Sequence, residues 1–145
     1  MDSKTPYKTV GLIPDDRGSS HVVVSDEPEP HGTDEAVSPV SYLFLSLVSC
    51  QLVVLNACLE KARIEDYTIK ADAALVFREE DHPDELPEFT AQRIDNIHIE
   101  LDLEVPEAYA SRAERCLAVY DDGCLVGQSL KSGISYATEN SLVTK

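Results

Sequence analysis

Basic residues are scarce in this sequence: 12 Lys and Arg stand against 27 Asp and Glu, for a formal net charge of −15. Phosphate backbones and anionic headgroups are held by clustered cations, so neither nucleic acid nor a charged membrane surface is an expected partner. The acid excess reads as a solvated surface that keeps the chain soluble. Cysteine is limited to Cys50, Cys58, Cys116 and Cys124, with no CxxC pair. No histidine stands at ligand spacing beside them, so no metal and no other cofactor is expected. His21, His31, His82 and His98 fall in stretches of strand or loop and read as solvated side chains. No secretory signal opens the chain. The expected location is therefore the reducing cytoplasm, and no lasting structural disulfide is expected. There is no internal repeat, linker or low-complexity segment. With 145 residues, 43% of them hydrophobic, one domain over residues 1–145 with a core of its own is expected.

There is one long hydrophobic run. No charged residue stands between Val40 and Leu59, and Glu60, Lys61 and Arg63 close the run. Ser38 is placed as N-cap with Pro39 at the first helical position. The run is long enough for a bilayer, which needs about 20 apolar residues. It carries Ser41, Ser46, Ser49, Gln51 and Asn56, however, and its N-terminal flank holds Asp34 and Glu35 instead of a cationic anchor. The reading is a central helix, hydrophobic nearly all round and buried in a globular core. A domain of this size has few places to cover such a helix, so a subunit interface is expected over part of it.

Around this helix the pattern predicts an α+β chain. Tyr7 to Ile13 and His21 to Ser25 read as a hairpin across the turn Pro14–Gly18. Asp26 to Asp34, with two prolines and a glycine, reads as loop. Tyr67 to Phe77 reads as a strand and Arg78 to Thr90 as an exposed acidic loop. Asn96 to Val105 alternates, with Ile97, Ile99, Leu101, Leu103 and Val105 on one face. A helix is expected over Glu107 to Tyr120, broken at Asp121–Asp122–Gly123. A third helix, Cys124 to Ser132, is stopped by Gly133 in a left-handed conformation. Ile134 to Tyr136 and Ser141 to Val143 are expected to supply a last strand. The order ββ-α-ββ-α-α-β groups helices on a mostly antiparallel sheet.

Two readings of the cysteines stand side by side. A buried free cysteine commonly serves as a small apolar filler. A thiol at a helix N-terminus, where Cys124 is expected, has its thiolate favoured by unpaired N–H groups and the helix dipole. A thiolate with access to a small oxidant is reactive. Cys58, two turns beyond Cys50, and Cys116, on its helix with Leu117 and Tyr120, read as core residues, or as substitute resolving thiols.

The segment Pro39-Val40-Ser41-Tyr42-Leu43 followed by Leu47-Val48-Ser49-Cys50 resembles the approach to the first reactive cysteine of the OsmC/Ohr family, the osmotically inducible and organic hydroperoxide resistance proteins. Gly123 to Gly133 (GCLVGQSLKSG) resembles the family's second cysteine segment, and the element order matches over nearly the whole chain. This resemblance implies an OsmC-like fold working as an intertwined homodimer around its long helices. It implies a thiol peroxidase in which Cys50 attacks an organic hydroperoxide and becomes a sulfenic acid. Cys124 then resolves it to a disulfide, which a dithiol such as dihydrolipoamide reduces. Peroxidase members carry a glutamate one or two positions after the proline, which orients an arginine; here those positions are Val40 and Ser41. Arg17 lies in an early turn where such an arginine could fall, or is a turn arginine beside two aspartates. The alternative is a non-enzymatic member of the same fold, a redox sensor or a binder of a small apolar ligand at the dimer interface. A third reading is a structural dimer with inert cysteines.

Overall fold

The computed structural model describes residues 8–142. The chain packs as two compact units, one ending at Ser46 and one beginning at Leu47. In the first unit, β1 (Thr9–Pro14) and β2 (Ser20–Ser25) form an antiparallel hairpin in the register Thr9↔Ser25 to Pro14↔Ser20. Gly18, at φ 82°, supplies the left-handed residue of its turn. Tyr7, where the strand was expected to begin, lies outside the described residues. The loop after β2 is organised by Asp26, whose buried carboxylate accepts from the backbone N–H groups of Glu27 (3.0 Å), Thr33 (3.0 Å) and Glu35 (3.3 Å) and from Thr33 Oγ1 (2.6 Å). Four donors on one carboxylate replace the ladder that two prolines forbid.

The long helix α1 spans Pro39–Lys61. Ser38 caps it as expected: Ser38 Oγ accepts from the Ser41 N–H at 3.2 Å. Tyr42 on its first turns donates its hydroxyl to Val24 O at 2.8 Å. At the other end Arg63, at φ 56°, turns the chain out of the helix, and Arg112 Nη1 donates to Ala62 O at 2.6 Å. Only Leu47, Gln51, Leu55 and Leu59 are buried in α1, a stripe at four-residue spacing. Leu45 and Val53 are 55% and 68% exposed. A single copy of the chain thus leaves much of this apolar helix uncovered. By length and composition alone α1 could cross a membrane.

In the second unit, β3 (Thr68–Glu79) and β4 (Gln92–Glu104) form a long antiparallel hairpin. The apolar cross-strand pairs are Ile69↔Leu103, Ala71↔Leu101, Ala73↔Ile99 and Leu75↔Ile97, with charged residues on the other face. The expected alternation is therefore real, and its face rests on the core. The strands run further than the sequence suggested, into the acidic segment. Arg78 makes ion pairs with Glu80 (2.6 Å) and Asp95 (3.4 Å), and Arg93 with Glu80 (3.4 Å), across the extension. A bulge between Val76 and Phe77 absorbs the extra residue.

A single 3₁₀ turn, Glu107–Tyr109, leads into α2 (Ala110–Val119), so the second helix is shorter as an α-helix than its apolar pattern implied. A further turn, Asp121–Gly123, leads into α3 (Leu125–Ser132), which ends at Gly133 with φ 72°. The core of this unit joins Leu55, Leu59, Ile64, Ala113 and Cys116, with Ile69, Leu101, Leu103, Tyr109 and Tyr120 packed around them.

Three expectations are corrected. Among the described residues the strands form two separate two-stranded antiparallel hairpins, where a single mostly antiparallel sheet was expected. The last strand does not form over Ile134–Tyr136 or at Ser141 and Leu142, which are irregular because no strand edge pairs with them; Val143 lies outside the described residues. Finally, Cys58 and Cys116 are neither free core thiols nor resolving thiols. They are joined as a disulfide, with Cα atoms 5.6 Å apart. α1 and the inner face of α2 meet there, which the sequence separation of 58 between the two cysteines conceals.

Candidate thiol site

Two cysteines remain free, Cys50 half-buried and Cys124 fully buried. Cys50 lies near the middle of α1, and Cys124 is the N-cap of α3, its Sγ accepting from the Gly127 N–H at 3.2 Å. The Asp121–Gly123 turn brings these positions together. A Cβ built on Gly123 would stand 2.8 Å from Val54 Cγ1, so the turn reaches α1 only because position 123 has no side chain. One built on Gly127 would stand 3.2 Å from Cys124 Sγ, so the first turn of α3 is closed tightly over the thiol.

The electrostatics of the pair are unequal. The Val126 N–H and then the Cys124 thiol lie against Cys50 Sγ and favour its thiolate, with a smaller contribution from the Leu125 N–H; partial burial opposes them. The net effect lowers the Cys50 pKa. Cys124 moves the other way, raised first by burial, with the Gly127 N–H opposing and Cys50 and Asp121 adding to the rise. The sequence reading gave the helix-terminus effect to Cys124. The terminus in fact serves both sulfurs: the Gly127 N–H bonds Cys124, where burial outweighs it, while the Val126 and Leu125 N–H groups face Cys50 and lower its pKa. The result is an unequal pair: a half-buried cysteine whose thiolate is favoured, and a buried thiol that donates to it.

Four residues that the sequence did not single out complete the site. Asp121 Oδ1 accepts from Gln51 Nε2 at 3.1 Å, and Asp121 Oδ2 from the Lys131 ammonium. Gln128 Nε2 donates to Asp121 O at 2.9 Å. Lys131 holds the Asp121 carboxyl below its usual range, and Asp121 holds Lys131 above its own. Gln51 is 7% exposed and its Oε1 has no partner. The one available signal was an amide directly after a cysteine in an apolar run.

The other candidates are placed on their own elements. Arg17 is exposed in the β1–β2 turn, its backbone N–H bonded to Asp15 Oδ1 at 2.9 Å. Val40 and Ser41 occupy the first turn of α1, where Ser41 Oγ lies 2.9 Å from Ser38 Oγ in the cap. His98 is exposed on β4, 3.4 Å from Glu100. Among the described residues no three His, Cys, Asp or Glu side chains cluster as metal ligands.

A long apolar helix carrying one free cysteine, with a second capping a short helix against it, defines an OsmC-type thiol protein. The profile described as "OsmC-like protein" matches residues 32–139, and the chain belongs to that family. The fold is similar to that of an OsmC-like protein of unknown function from Vibrio cholerae (16% identity, TM-score 0.55, covering 83% of this chain and 77% of that one). It is similar to a Psychrobacter arcticus protein named for an osmotic stress and detoxification response (19% identity, TM-score 0.59, 89% and 83%). An OsmC-like protein from Mycoplasma pneumoniae also shares it (14% identity, TM-score 0.54, 92% and 91%). Such low identities place the chain as a divergent member. No curated protein matches the sequence significantly.

Proposed function

We propose that the protein is a cytoplasmic thiol peroxidase that reduces small organic hydroperoxides. The observation that carries this is the asymmetry of the thiol pair, with Cys50 favoured as thiolate and more accessible than the buried Cys124. The Cys50 thiolate attacks the hydroperoxide, breaking the O–O bond; the alcohol leaves with a proton, and Cys50 becomes a sulfenic acid. The Cys124 sulfur then attacks that sulfenic acid, forming a Cys50–Cys124 disulfide and releasing water. A dithiol such as dihydrolipoamide reduces the disulfide and becomes a cyclic disulfide itself. Because no arginine–glutamate pair is on hand at Val40 and Ser41, activation of Cys50 rests on the α3 N–H groups and Cys124.

The working unit in this reading is a homodimer, with the second copy covering the apolar residues of α1 that one chain leaves exposed, Leu45 and Val53 among them. Val53→Glu then gives a monomer by light scattering; a dimer of unchanged mass sinks this part of the reading. The Cys58–Cys116 disulfide persists in a reducing compartment because Cys116 is buried in the core.

The deciding assay follows consumption of cumene hydroperoxide with dihydrolipoamide by wild type, Cys50→Ser and Cys124→Ser. Turnover in wild type that Cys50→Ser abolishes supports the peroxidase. Oxidation of both thiols by one equivalent of peroxide, without turnover, supports a redox sensor instead, the reading that Val40 and Ser41 favour. An unreactive Cys50 removes both.

A further inference from the structure

Asp121 sits three residues before Cys124, and every polar atom of its side chain is engaged. Oδ1 takes Gln51 Nε2, from the residue directly after Cys50, and Oδ2 takes Lys131 from the last turn of α3. Its carbonyl accepts from the Cys124 N–H at 3.1 Å and from Gln128 Nε2. A Cβ on Gly127 would lie 3.5 Å from Oδ1, so the carboxylate is packed on the first turn of α3. Gln51 is held in this bond although its Oε1 is left buried and unpaired, an arrangement that costs stability. The bond to Asp121 fixes where the amide points.

We propose that Asp121 is a positioning residue for the thiol pair: its carboxylate ties the turn of α1 carrying Cys50 to α3, and it sets one negative charge beside Cys124. The tie keeps the first N–H groups of α3 on Cys50 Sγ. The charge adds to burial in disfavouring a second thiolate at Cys124, which donates to Cys50. Lys131 partly compensates that charge from the far end of α3. Asp122 and Tyr120 are the remaining titratable groups next to the turn, and Cys50 faces Cys124 from α1. This inference rests on Cys50 and Cys124 acting as a pair; it adds a residue that holds them together and reinforces their inequality.

Opposite charge changes on either side of Asp121 test it. In the full chain carrying Cys50→Ser, the ionisation midpoint of Cys124 is followed by the NMR shift of its labelled β-carbon. Asp121→Asn, which keeps an acceptor for Gln51, lowers the midpoint and so raises the thiolate fraction at a given pH. Lys131→Met, at an exposed position, leaves Asp121 uncompensated and raises the midpoint. A merely structural role moves both variants in one direction or neither. That outcome overturns the proposal, and Lys131→Met decides alone if Asp121→Asn does not fold. No hydroperoxide enters the measurement, so its result stands apart from whether the protein turns over.

Discussion

Gly123 and Val54 are so close that a methyl group at position 123 would stand 2.8 Å from Val54 Cγ1. This contact sets the approach of α3 to α1, and therefore of Cys124 to Cys50. Gly123→Ala forces the turn or Val54 to give way and costs about 1–3 kcal/mol, the usual penalty of overpacking. Thermal unfolding measures that cost. The same variant slows alkylation of Cys50 at neutral pH, because the α3 N–H groups withdraw; a loss of stability with alkylation unchanged separates the contact from the site.

Cys50 is expected to react as a thiolate below the ordinary thiol range. Its folded pKa is lowered, chiefly by the Val126 N–H and the Cys124 thiol. Iodoacetamide labelling of the reduced protein, mapped by mass spectrometry, reaches half its maximum at a lower pH at Cys50 than at the cysteine of an unstructured peptide. Cys124→Ser keeps a hydroxyl donor but a weaker fit, and moves this midpoint up. A Cys50 midpoint at or above the free-thiol value in wild type refutes the arrangement.

The Cys58–Cys116 disulfide closes a loop across 58 residues. Loop-closure entropy assigns such a bond about 4 kcal/mol of stability. The double variant Cys58→Ser, Cys116→Ser therefore melts roughly 10 °C lower than wild type, while Cys50 labelling is retained. Thiol titration of the oxidant-free native protein should find Cys50 and Cys124 only; four titrating thiols under native conditions would show that the bond is absent.

Asp26 makes the first unit sensitive to acid. The Thr33 hydroxyl first, then the backbone N–H groups of Thr33, Glu35 and Glu27, hold its carboxyl below the usual aspartate range against the effect of burial. A depressed carboxyl contributes stability that is fully present above the unfolded value, about pH 3.9, and is lost as pH falls through the folded one. Asp26→Asn is thus less stable than wild type at neutral pH, and the gap narrows as pH drops below about 4. A gap independent of pH would assign Asp26 a purely steric role. Gly32 belongs to the same loop, for a Cβ there would meet Glu27 O at 1.9 Å, and Gly32→Ala should disturb it at any pH.

Much of this was legible in the order of residues, because its causes are local. Ser38 before Pro39 announces the start of α1, and Gly133 the end of α3. The alternation from Ile97 to Leu103 declares which face of β4 meets the core. These signals act within a few residues, through a hydrogen bond to a nearby N–H, a φ angle or a two-residue period. The two reactive segments around Cys50 and Cys124 were likewise recognisable as stretches. Their partnership was not. It depends on Gly123 passing Val54 and on Asp121 reaching Gln51 across 70 residues of chain. The same holds for Cys58 and Cys116, whose spacing carries no sign of a bond. Which thiol gains from the α3 terminus also needed three dimensions, since a helix favours the charge that its N–H groups face and not the residue that begins it. Sequence determined the elements and the two cysteines; tertiary packing decided which groups those cysteines meet, because electrostatics follows distance in space.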